Sequence, residues 1–132
     1  MKQILLMSFC AIALTACALF PQKYDANEFG LLTQFTVKIE KLHDSCGADG
    51  KITEELVVSL QNDLRVFELY VQYTPDDKEV YDVAKILRND VDEFSAHIKR
   101  YGHNKAYCEI KSDLMHEKAI TILKAVGDKP RG

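Results

Sequence analysis

The sequence predicts an all-α fold: a small antiparallel bundle of about four helices behind an N-terminal signal or anchor segment. Three observations predict it. Apolar residues recur at spacings of three and four through four separate segments. The breaks between those segments are short and hold glycine, proline and helix-capping residues. The composition, 47% hydrophobic and 28% charged in 132 residues, is that of one ordinary globular domain.

Segment A runs from about Asp25 to Ser45, with Leu32, Phe35, Ile39, Leu42 and Cys46 on one helical face. The turn Cys46-Gly47-Ala48-Asp49-Gly50 ends it. Segment B opens at Thr53, read as an N-cap followed by Glu54 and Glu55 in the first turn. Its stripe is Leu56, Leu60, Leu64, Phe67 and Val71. Thr74-Pro75-Asp76-Asp77 then stops B and starts C, with Thr as cap and Pro at the first helical position. C carries the cleanest pattern: Val80, Ala84, Leu87, Val91, Phe94, Ile98 and Tyr101, closed by Gly102. D, from about Asn104 to Val126, is expected to bury Tyr107, Ile110, Leu114, Met115, Ala119, Ile122 and Val126. Short connections favour up-down-up-down neighbours. A three-helix core with one peripheral helix satisfies the same periodicity.

Ahead of these segments, Met1-Lys2-Gln3 and the apolar run from Ile4 to Leu14 have the make-up of a secretory signal. The run closes in Leu14-Thr15-Ala16-Cys17, which resembles the lipobox of bacterial lipoproteins. Small residues there let a peptidase reach the backbone, and a free thiol accepts the diacylglyceryl group. The resemblance implies cleavage before Cys17 and acylation of its sulfur, leaving 116 of the 132 residues. It divides the chain into a signal peptide (1–16), a tether (17–24), a helical domain (25–127) and a basic tail (128–132). Ala18 after the cysteine implies outer-membrane sorting, with the body facing the periplasm. Several acyl chains on one residue hold far more firmly than one. Two other readings stay open: an uncleaved anchor from Ile4 to Phe20, which would place the protein in the inner membrane, and a plain cleaved signal. The seven residues from Ala18 to Tyr24 reach at most roughly 25 Å, so the body sits close to the membrane.

Cys10 leaves with the leader and Cys17 is acylated, so Cys46 and Cys108 remain. In an oxidising compartment an even remainder suggests a disulfide. In an up-down-up-down bundle the end of A and the start of D share one end and are neighbours, which permits the bridge. Two reduced thiols are the alternative.

Other chemistries find little support. Net charge is −3, which excludes a global basic field for nucleic acid. The stretch Asp49 to Leu56 resembles the back half of an EF-hand loop, but the bidentate acid falls one position early, at Glu55. It is read as a turn and a helix cap. His43, His97, His103 and His116 include no i, i+4 pair, so no helix face presents a ready zinc site. They are read as surface residues, with His43, Asp44 and His103 near one another at the disulfide end. No nucleophile motif stands out, the acids Asp90, Asp92 and Glu93 read as the wet side of C, and neither a catalytic site nor a cofactor is expected. Lys124, Lys129 and Arg131 form a basic tail expected to lie near anionic headgroups.

These features point to a non-enzymatic lipoprotein, held in membrane lipid through Cys17, whose body binds another envelope protein. Leu31, Val37 and Ile86 lie off the main stripes and suit a partner face or a wider core. Carriage of a small apolar ligand in the bundle interior is the competing function. The body resembles small lipoproteins of tailed phages and prophages, mainly in Lys105-Ala106-Tyr107-Cys108 and Gly127-Asp128-Lys129-Pro130-Arg131. Roles in that wider class include blocking an outer-membrane receptor and forming half of a lysis spanin. The lysis subunits are shorter and Pro-rich, unlike this chain.

Overall fold

The structure, a computed structural model, describes residues 23–74 and 78–131. The segment read as a signal sequence, Cys17, and Pro75-Asp76-Asp77, read as the start of the third helix, lie outside the described residues. The described chain forms α1 (Ala26–Ser45), α2 (Gly50–Gln72), α3 (Lys78–Tyr101) and α4 (Lys105–Gly127).

Local chemistry sets most boundaries. Asp25 caps α1, its carboxylate accepting from the backbone N–H of Asn27 at 2.8 Å and of Glu28 at 3.2 Å. Gly102 ends α3 at φ +79°, a conformation glycine adopts without Cβ strain, and its N–H donates to the Ile98 carbonyl at 2.8 Å. Asn104 then caps α4 by accepting from Tyr107 N–H at 3.0 Å. One boundary departs from the sequence reading. α2 is capped by Asp49, not Thr53. Asp49 accepts from Lys51 N–H at 3.1 Å, while Thr53 is fully buried, its hydroxyl 3.4 Å from that of Ser45. An aspartate beside a glycine supplies the cap a full turn earlier, and Thr53 becomes a small polar core residue between α1 and α2.

The helices pack in a ring: α1 on α2, α2 on α3, α3 on α4, and α4 back on α1. This is a four-helix bundle, and the three-helix alternative is excluded. Phe35, Phe67 and Phe94, with Leu32, Ile39, Leu60, Leu64, Leu87 and Met115, fill its axis and are essentially unexposed. Truncating one such ring to Ala typically costs about 3–5 kcal/mol, because removed contacts and a residual cavity add. The predicted stripe of α1 is buried throughout, and α2 buries its stripe with Leu56 at the margin and Val57 added.

α4 is the exception. Ile110 is 62% and Leu114 49% exposed, and the face turned inward is Cys108, Ser112, Met115, Ala119 and Val126. Both rows have helical spacing, so periodicity alone could not choose between them. The polar Ser112 hides the true row, yet its hydroxyl donates to the Cys108 carbonyl at 2.7 Å and is thereby satisfied in the core. Tyr101, also expected inside, is 66% exposed beyond the last core turn of α3.

Candidate functional site

At the end where α1 begins and α4 ends, tether and tail are fastened together. Tyr24 N–H donates to the Pro130 carbonyl at 3.0 Å, and the Arg131 guanidinium lies over the Tyr24 ring, 4.7 Å from its centroid. Lys129 reaches the fully buried Glu28 carboxylate at 2.9 Å. The basic tail is therefore partly structural. Lys129 is turned into the protein, and of the three basic residues Lys124 and Arg131 stay exposed.

Next to it, Tyr70 of α2 donates to Asp25 at 2.6 Å. Burial alone would raise the Asp25 pKa. The hydrogen bonds from Tyr70 and from the Glu28 and Asn27 amides, helped by the charge of Lys129, outweigh it and hold the carboxyl below its ordinary range. The same bond raises the Tyr70 phenol above its ordinary value.

At the opposite end the structure brings Cys46 and Cys108 together as expected, with the sulfurs at bonding distance and the Cα atoms 5.5 Å apart. His103 bonds through Nε2 to the Cys46 carbonyl at 2.9 Å. It does not join His43, which turns instead to Asp113 on α4. The separation arises because Cys46 caps α1 and offers its carbonyl to the α3–α4 loop, while His43 lies one turn earlier on the outer side.

None of the four histidines is simply solvated. His97 stacks on Tyr107 with ring centroids 3.5 Å apart and 13° between planes. Tyr107 lies parallel to Phe94 at 5.7 Å, and Tyr101 closes on His97 at 4.9 Å. These rings fill the seam between α3 and α4, where the two backbones meet least. From Tyr107, Ile110 and Leu114 continue outward along α4 at spacings of three and four. Tyr101, Ile110 and Leu114 thus leave a strip of exposed apolar surface along this seam.

The remaining two histidines face a cleft of about 230 Å³ on the α1–α4 seam, lined by Glu40, His43, Asp44, Asp113 and His116. His43 Nε2 lies 3.2 Å from Asp113 Oδ1, and His116 Nε2 lies 3.0 Å from Glu40 Oε1. Each histidine pairs with the acid of the other helix. The signal is visible in the sequence as Glu40-x-x-His43 and Asp113-x-x-His116; a search for histidine pairs four apart passes over it.

No protein-family model, curated protein or solved structure matches this chain. Among the described residues no helix is long and apolar enough to cross a membrane.

Proposed function

We propose that the protein is a lipoprotein precursor, acylated at Cys17 and facing the periplasm from the outer membrane, whose helical body works by binding another envelope protein. The observation that carries the interaction reading is the strip of Tyr101, Ile110 and Leu114, which are 66%, 62% and 49% exposed on a body whose core is already filled. Apolar side chains left together in water on a well-packed bundle suit a contact surface. The strip lies beside the Cys46–Cys108 pair, at the end of the bundle away from the tether, where a partner has access. Interior positions occupied by Phe35, Phe67 and Phe94 favour this reading over ligand carriage.

The address rests on Leu14-Thr15-Ala16-Cys17, and the paired cysteines support it, because such a bridge persists in an oxidising compartment. The short tether agrees with it too: Tyr24 is bonded to the tail, so only six residues, 18–23, separate Cys17 in sequence from the fastened part of the body.

The test has two arms. Radiolabelled palmitate should enter the wild-type chain and not Cys17→Ser, and globomycin should accumulate the unprocessed form. A photo-crosslinker at Ile110 of the membrane-anchored protein should then give a discrete adduct that Leu114→Lys abolishes. Globomycin-insensitive processing would defeat the address, and a crosslinking pattern identical to that of a probe at exposed Glu54 would defeat the contact surface.

A further inference from the structure

We propose that the α1–α4 cleft binds a divalent transition-metal ion of the zinc class, with His43 and His116 as nitrogen ligands and Glu40 and Asp113 as oxygen ligands. The proposal does not depend on the anchoring or partner-binding reading. Two antiparallel helices each present an acid and a histidine three residues apart, so all four groups project into one solvent-open cleft. Zinc holds imidazole nitrogen and carboxylate oxygen at roughly 2.0–2.2 Å, which places neighbouring ligands of a tetrahedron about 3.3 Å from each other. The crossed pairs stand at 3.2 Å and 3.0 Å. Each pair already has nearly the separation of two ligands on a common ion.

The pairs are stacked along the helices by three residues, a rise of about 4.5 Å. As they stand, no group of three His, Cys, Asp or Glu side chains among the described residues is arranged to hold an ion. Joining the pairs requires side-chain rotation, for which solvent leaves room: His43 is 41%, Asp113 67%, His116 34% and Glu40 56% exposed. The crossed hydrogen bonds are the metal-free arrangement, and the ion takes the place of the proton between each Nε2 and its carboxylate. Asp44 Oδ1 lies 3.9 Å from the other ring nitrogen of His43. A small closing movement lets it accept the Nδ1 proton and orient the ring, the role carboxylates commonly take behind a zinc-bound imidazole. Two imidazoles favour zinc, copper or nickel over the oxygen-seeking calcium and magnesium. Protons compete for both rings, so binding weakens on acidification.

The experiment is zinc titration of the purified protein, with its disulfide intact, by calorimetry and by cobalt absorption. One ion per chain is expected, with a cobalt spectrum of nitrogen and oxygen ligands lacking thiolate charge transfer. His43→Ala and Asp113→Asn should each weaken binding by about tenfold or more, with unchanged helical circular dichroism. Absence of zinc uptake by the wild type, or uptake indifferent to the double variant His43→Ala/His116→Ala, overturns the site. Saturation by magnesium equal to that by zinc overturns the ligand assignment.

Discussion

Lys129 and Glu28 are 101 residues apart in sequence and 2.9 Å apart in space, the carboxylate fully buried and the lysine side chain 12% exposed. This pair joins the first turn of α1 to the segment beyond α4. Removing the ammonium leaves a carboxylate in a low-dielectric site, which costs about 3 kcal/mol or more, whereas replacing both partners by neutral groups is often close to neutral. Lys129→Met should therefore lower the urea midpoint strongly, and Glu28→Gln/Lys129→Met should recover most of the loss. An unchanged midpoint in the single variant would show that the pair holds nothing together.

Asp25 gives the bundle a dependence on acid. Its pKa is depressed in the folded chain, so the folded state binds that proton less readily than the unfolded one. The stabilisation is fully present above the ordinary aspartate value of about 3.9 and disappears as pH falls through the lower folded value. Asp25→Asn keeps an acceptor for the cap but removes this titration. Stability measured between neutral pH and strong acid should fall less steeply in Asp25→Asn than in the wild type. Parallel curves would exclude the linkage. Tyr70→Phe should shift the wild-type acid limb upward in pH, because it deletes the strongest hydrogen bond that depresses Asp25.

The Cys46–Cys108 bridge closes a separation of 62 residues. On the chain-entropy model that stabilises by about 4 kcal/mol, a large part of the net stability of a domain this size. Cys46→Ser/Cys108→Ser should show a lower melting temperature that no longer responds to reductant, while the wild type under reductant falls toward it. Two free thiols by mass in freshly purified protein would remove this prediction and the main support for an oxidising compartment.

The fold was legible where one side of a helix is apolar and the other charged. α1 and α3 meet that condition: Leu32 to Cys46 and Val80 to Ile98 turned inward as their spacing requires. The cysteine pairing was suggested by the even remainder of thiols and permitted by the topology, which puts the end of α1 and the start of α4 side by side at one end of the ring. What escaped falls into three kinds. Ile110 and Leu114 have the spacing of core residues, and the helix is apolar on more than one side, so the pattern was degenerate. Glu28, Thr53 and Ser112 are buried polar residues whose partners are a distant lysine, a hydroxyl on a neighbouring helix and a local carbonyl. No periodicity encodes such partners. The crossed histidine–acid cleft is a third kind of case: its motifs are local, but their meeting needs α1 and α4 side by side.

The corrected face of α4 can be tested against the one expected from spacing. Ile110→Lys and Leu114→Lys change exposed side chains and should alter unfolding free energy by no more than about 0.5 kcal/mol each. Met115→Ala, one position along, empties a site that is 1% exposed and should cost about 2–5 kcal/mol. Urea denaturation of the three variants separates the two faces directly. If the lysine variants unfold as easily as Met115→Ala, the inward row is the one containing Ile110 and Leu114, and the proposed contact strip disappears with it. If they keep full stability and lose the crosslinked adduct, then the apolar strip is retained for contact rather than for folding, because packing gains nothing from it.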